Sequence, residues 1–170
     1  MDTALLLIRL TVGPLVAGHG VQKVSRLLGG SGLAGGAEEF RRDGFRGGAL
    51  TALAAGTTQI GSGLLLACGV LTPLAAAGIA GVMTVALTVK WPHGLWVQDD
   101  GYEYPLVLVA LALAVAMAGP GRWSVDHALR LPVWPAPWAA LTATAGIASG
   151  LAVRALLHRP KPTGAGAGTR

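Results

Sequence analysis

Few side chains in this sequence could do chemistry, and most of them sit at the edges of long apolar runs. His19 and Lys23 are four residues apart, so on a helix they share one face. Glu103 stands in Gly101-Tyr102-Glu103-Tyr104, at the mouth of another apolar run. A carboxylate beside an imidazole and an ammonium would make a compact polar site. Glu103 would take a proton from a quinol or thiol there, with His19 as the second acid/base group, or would simply be the ion-pair partner of Lys23. Gln59 falls in the middle of the second apolar run, between Gly56 and Gly63 on one face; it either glues two helices or touches a polar ligand. Arg9 lies between Ile8 and Leu10. It either snorkels to the membrane surface or faces inward with a partner, for which Asp126 is the candidate. Trp91 and Tyr102 flank a polar loop and could stack beside a ring.

Other chemistries have no residues to run on. Cys68 is the only cysteine, so there is no internal disulfide, no C-x-x-C dithiol and no zinc-spaced Cys/His cluster. It reads as a small core residue inside a helix. Metal, haem, phosphate-loop and nucleophile motifs are absent. A redox role must therefore draw on a bound cofactor, a partner or a thiol substrate.

The elements that hold these residues are helices, and the solvent they suit is lipid. Hydrophobic residues make up 52% of the 170 positions and charged ones 12%, against roughly 25% in soluble domains. The expected fold is an all-α polytopic membrane helix bundle, with a four-helix core and a fifth C-terminal transmembrane helix. The first helix runs over Ala4 to Val24, with no basic region or cleavage site that would mark a signal peptide. A Gly-rich loop (Gly29 to Gly48) follows, its middle from Ala37 to Phe45 able to form a short surface helix. The second helix covers Ala49 to Leu71 and turns at Thr72-Pro73 into the third, Leu74 to Trp91; proline suits a first helical position. Pro92 to Gly101 is a loop with Trp96 as a further interface anchor. The fourth helix, Tyr102 to Ala118, stops at Gly119-Pro120-Gly121, and Arg122 to Pro132 is an amphipathic connector. The fifth spans Trp134 to Leu157. Residues 1–131 thus form the core, 132–158 the added helix and 159–170 a basic disordered tail.

The net charge of +5 belongs to loops and tails, without the basic, aromatic-interleaved stripe that tracks nucleic acid. Of the 13 Lys and Arg residues, ten fall on the side of the first loop, Lys90 and the tail. Arg9, Arg122 and Arg130 fall on the other. The positive-inside rule then puts the N-terminus outside and the C-terminus in the cytoplasm.

Several short pieces, taken in order, resemble the DoxX family of small bacterial membrane proteins. They are Arg9; His19-Gly20-x-x-Lys23; Gly61-x-Gly63-x-x-Leu66-x-x-Gly69-x-x-Thr72; Gly101-x-Glu103; and Gly119-Pro120-Gly121-Arg122-x-Ser124-x-Asp126. Gln59 stands where that family usually has a glutamate, and the fifth helix extends beyond the common core. The resemblance implies a four-helix core in the bacterial cell membrane. It also implies a role beside thiosulfate:quinone oxidoreductases or in thiol and oxidative-stress defence, while more distant relatives act as chaperones or cargo receptors.

The leading expectation is a subunit of a membrane redox system acting on a quinone or a small thiol or sulfur compound. His19, Lys23 and Glu103 would bind the polar head, with Gln59, Arg9, Trp91 and Tyr102 as further contacts. Quinone would be the cofactor, and the partners the lipid bilayer, a soluble redox protein and further copies of the chain. The alternative is a non-catalytic scaffold that recruits partners through its fifth helix and charged loop. A transporter ranks behind both, since no inverted repeat is visible.

Overall fold

The computed structural model describes residues 1–159, and the tail expected beyond Arg159 lies outside them. Among the described residues the chain is helical throughout, apart from one isolated β-bridge between Phe45 and His158. The helices are α1 (Asp2–Val24), α2 (Gly32–Arg42), α3 (Ala49–Cys68), α4 (Thr72–Lys90), α5 (Glu103–Ala118), α6 (Val125–Ala128) and α7 (Ala136–Leu157). Helices α1, α3, α4 and α7 are long and apolar enough to cross a membrane, and α5 is a shorter apolar helix. The protein is a multi-pass membrane protein. "Exposed" below therefore means uncovered by protein, which along the helices means facing lipid.

Small residues set the packing. A Cβ at Gly13 would lie 2.6 Å from the Gly63 carbonyl oxygen, and one at Gly20 2.5 Å from that of Gly56. With no side chains in the way, α1 and α3 approach backbone to backbone, as membrane helices do at small-residue faces. At the end of α3, Gly69 takes a left-handed φ of +67° and its N–H returns to the Leu65 and Leu66 carbonyls, which closes the helix. Pro73 then starts α4 in its first turn, where a missing N–H costs nothing.

Helix α4 is the centre of the bundle: Ala75, Ala76, Ile79 and Ala80 are fully buried. It packs on α3, α5 and α7. Side chains from α1, α3, α4, α5 and α7 meet in one core, with Val16, Leu66, Ile79, Leu108 and Val115 among its members. Helix α7 docks through Gly146 and Gly150, where a Cβ would collide with the Ala77 and Gly81 carbonyls of α4. Only 17% of its apolar stretch is buried, so it is a peripheral helix held tightly along one edge.

Two local expectations are corrected. The surface helix starts at Gly32, well before Ala37, and ends at Arg42. Glycine is a poor helix former, but Gly32, Gly36 and Ala37 are buried, and a Cβ at Gly36 would lie 2.6 Å from the Lys23 carbonyl. Close packing onto the end of α1 offsets the weak propensity. Cys68 is not a core residue; it is the last residue of α3 and is exposed.

Candidate functional site

Helix α1 runs from one pole of the bundle to the other, and the two poles are built differently. At the N-terminal pole, Arg9 is 1% exposed. Its guanidinium donates to the carbonyl of Pro120 and, at 2.5 Å, to that of Trp123. Asp126 is also buried, and its carboxylate accepts the N–H groups of Leu71 (3.1 Å) and Thr72 (3.5 Å). The Asp126 N–H donates to the Gly69 carbonyl at 3.1 Å. Gly69 has to be glycine here, because a Cβ would sit 2.6 Å from the Arg9 guanidinium and 2.6 Å from Ser124. Asp2 accepts the Arg122 N–H at 2.9 Å and ties the chain start to the same connector. Arg9 thus faces inward, in the neighbourhood of Asp126. It forms a clasp joining the first helix to the α5–α7 connector, and does not line a site with His19 and Lys23.

A cavity of about 510 Å³ adjoins this clasp, lined by Asp2, Arg122, Asp126, Arg130 and Trp134 among others. The Asp2 and Asp126 carboxylates in it are engaged by backbone N–H groups, and Arg122, His127 and Arg130 line it as well.

At the opposite pole the expected trio is divided. Lys23 pairs with Glu39 of α2, both carboxylate oxygens lying 3.0 to 3.1 Å from the ammonium, which also sits over the Phe40 ring. Glu103 is not the partner of Lys23. Its carboxylate accepts the Val97 N–H at 3.1 Å, and so helps fold the loop between α4 and α5. His19 is exposed and meets the Tyr104 ring edge-on, with centroids 5.8 Å apart. Trp91 and Tyr102 stack on each other at 4.7 Å, which closes the loop and leaves neither face-to-face position open between them for a ligand ring. The sequence placed these residues at one pole correctly but assigned the wrong pairs. Glu39 fell within the expected surface helix, but its pairing with Lys23 depends on how that helix packs onto the end of α1.

A larger space opens beside Lys23, and His19 does not line it. A cleft of about 850 Å³ lies between α3 and α7, floored by α4 and crossed at its mouth by α2 and the α4–α5 loop. Its walls are small and apolar, including Ala54, Ala55, Val82, Val85 and Val153. Its mouth carries Lys23, Arg42 and Lys90 against Glu39, Asp43 and Asp100, with His93 beside them. Lys90 forms an ion pair with Asp100, and the His93 ring lies 3.5 Å from the same carboxylate. The hydrogen bond from Lys90 holds the Asp100 carboxyl below its ordinary range. Burial pushes the Asp43 carboxyl up, and the nearby Glu39 charge adds to this, while Arg42, Lys23 and Lys90 oppose it. Inside the cleft, Gln59 is 3% exposed and its side-chain oxygen has no hydrogen-bond partner.

Of the residues expected to bind a ligand, Lys23 and Gln59 line this cleft. Asp43, Lys90, His93 and Asp100 were missed. The placement of Lys90 and Asp100 ten positions apart around one loop was the one available signal for them. Helix α7, which had suggested a docking extension, supplies a wall through Ser149, Gly150, Val153 and Leu157. The bridge between Phe45 and His158, and the Arg159 N–H donating to the Gly44 carbonyl at 2.8 Å, pin its far end to the α2–α3 loop.

Comparison with known proteins gives one relationship. The family model described as DoxX matches residues 4–91, which is 88 of the 170 residues. No curated protein and no solved structure matches the chain.

Proposed function

This chain belongs to the DoxX family, and on that premise we propose that it is the membrane subunit of a redox system acting on a quinone or a small thiol or sulfur compound. The observation that carries this reading is the cleft between α3, α4 and α7. It is apolar inside, ringed by charges at one pole and within the 300 to 1,000 Å³ usual for small-molecule sites. Of the two substrate classes, the quinone fits its apolar walls better. Among the described residues no group of three His, Cys, Asp or Glu is placed to hold a metal. In this reading electrons reach a lipid-soluble ring from a soluble partner at the cleft mouth. Asp43, whose carboxyl is pushed toward the protonated form, stands at that mouth to take up or release protons.

The test is direct. Protein purified in its active form should carry quinone in its organic extract, near one equivalent per chain. An extract free of quinone from active protein would overturn the reading.

The cleft pole also holds most of the Lys and Arg residues, so we place it in the cytoplasm of a bacterial cell, with the N-terminal pole outside. Cys68 reports on this, since it is the sole cysteine and is exposed at the N-terminal pole. A membrane-impermeant maleimide should label it in intact cells. Labelling only after the membrane is opened would reverse the orientation.

A further inference from the structure

Cations are scarce at the N-terminal pole. Among the described residues three Lys or Arg stand there: Arg9, buried in the clasp, and Arg122 and Arg130, both exposed. The two exposed arginines line the same cavity of about 510 Å³, which opens between the start of α1, the end of α5 and the connector leading into α7. Neither guanidinium has a carboxylate partner among the described residues. Asp2 takes the Arg122 backbone N–H instead, and Asp126 takes those of Leu71 and Thr72. With Arg9 beside them, three cations stand against two carboxylates, which leaves one positive charge unbalanced. Like charges on the wall of one cavity repel, and an anion between them removes that cost.

The backbone at Arg130 points the same way. The last turn of α6 is closed by the Leu131 N–H donating to the Asp126 carbonyl at 2.9 Å and the Arg130 N–H to that of His127 at 3.0 Å. This closure puts Arg130 at a left-handed φ of +54°, a position that glycine fills without strain and a side chain does not. The chain path alone asks for glycine there, and the arginine that occupies it carries its side chain to the cavity.

Depth and shape say which anion fits. The cavity lies level with the last residue of α5, Ala118, and the segment just before α7, hence at the membrane surface. Trp123, Trp134 and Trp138 are exposed around it, as aromatic anchors are at headgroup level. One rim is apolar, for Ala118, Leu131 and Val133 line the cavity and are themselves exposed. A water-soluble anion has no use for such a rim, whereas a lipid lays its acyl chains along it.

We propose that this cavity is a phospholipid headgroup site, with the phosphate held between Arg122 and Arg130 and the acyl chains running past Ala118 and Val133. The unbalanced positive charge selects a headgroup of net negative charge, such as phosphatidylglycerol, over a zwitterionic one. The site is separate from the cleft between α3, α4 and α7, and neither the redox reading nor the orientation in the membrane enters the argument.

The test measures retention of radiolabelled phosphatidylglycerol and phosphatidylcholine of equal chain length by the full chain in mixed detergent micelles. Phosphatidylglycerol should bind about tenfold more tightly, as one or two charge-assisted hydrogen bonds allow. Arg122→Gln with Arg130→Gln should remove that preference. Arg26→Gln with Arg46→Gln, which takes the same charge from exposed positions at the other pole, should keep it. Arg130→Gly should weaken phosphatidylglycerol binding about threefold or more while its unfolding temperature does not fall, because glycine relieves the left-handed strain. Equal retention of the two lipids, a preference that survives Arg122→Gln with Arg130→Gln, or full binding by Arg130→Gly would each overturn the proposal. So would an equal loss in the Arg26 and Arg46 variant, which would mark general charge attraction. Displacement of the lipid by excess inorganic phosphate would overturn it too, by showing a site for a soluble anion.

Discussion

The two poles of the bundle hold charged residues of the same kinds and spend them differently. At the N-terminal pole Arg9 and Asp126 are buried, and both are engaged with backbone groups that join distant parts of the chain. At the other pole the charges are half-buried or exposed and pair across the mouth of an apolar cleft. Buried charge bonded to distant backbone groups fixes a fold, whereas paired charges around the mouth of an apolar cleft leave room for a ligand. The first pole is a clasp, and the second is the pole at which we propose the redox site.

Breaking the clasp should have the largest effect. Arg9→Leu leaves the Pro120 and Trp123 carbonyls without donors and removes the cation beside Asp126. A loss of about 1–3 kcal/mol is expected for each buried carbonyl left without its donor. Thermal unfolding in detergent should show little or no folded protein. A variant as stable as the parent would mean that the clasp contributes nothing.

The next effect sharpens the role of the peripheral helix. Gly146→Leu forces a side chain into the Ala77 carbonyl of α4. It should cost about 1–3 kcal/mol, the usual penalty for overpacking, and should lift α7 from α4. Limited proteolysis in the 119–135 connector ought to speed up, while the α1–α3 contact stays intact. Unchanged cleavage would show that α7 is not held where the cleft requires it.

At the mouth the expected stability effects are small. Lys23→Met removes an ion pair that is partly exposed on both sides, so it should cost less than about 1 kcal/mol. Its unfolding temperature should stay close to the parent's, in contrast to Arg9→Leu. A collapse comparable to Arg9→Leu would erase the distinction between the poles.

Smallest of all are two carboxylates of opposite sign. The Asp100 carboxyl is held low by Lys90. Its contribution is present above the ordinary aspartate range and is lost as pH falls through its lowered value. The Asp43 carboxyl is held high by burial. Its contribution is present below the ordinary range and is lost as pH rises through its raised value. At neutral pH, Asp100→Asn should therefore destabilise slightly and Asp43→Asn stabilise slightly, each by about a few tenths of a kcal/mol. Unfolding temperatures across about pH 3 to 7 should show the two differences converging in acid.

Much of the architecture was legible because lipid imposes simple rules. Long uncharged runs gave the spanning helices, and Pro73 the start of α4. The inward reading of Arg9 named Asp126 as its neighbour, and the two do share one clasp. The pairings at the other pole were not legible, because they depend on a path through glycines. Helix α2 brings Glu39 to Lys23 by packing rather than propensity, which leaves Glu103 to fold its own loop. The cleft was hidden for a similar reason. Its third wall belongs to a helix whose glycines reveal their partner only once α4 is in place beside them.

The most direct test of the open pole as the functional one is a density map of the protein purified with its native lipids. The expected result is a ring-shaped feature in the cleft between α3 and α7. A cleft closed by α7 against α3, or filled by a phospholipid acyl chain or a helix of a second copy, would contradict it.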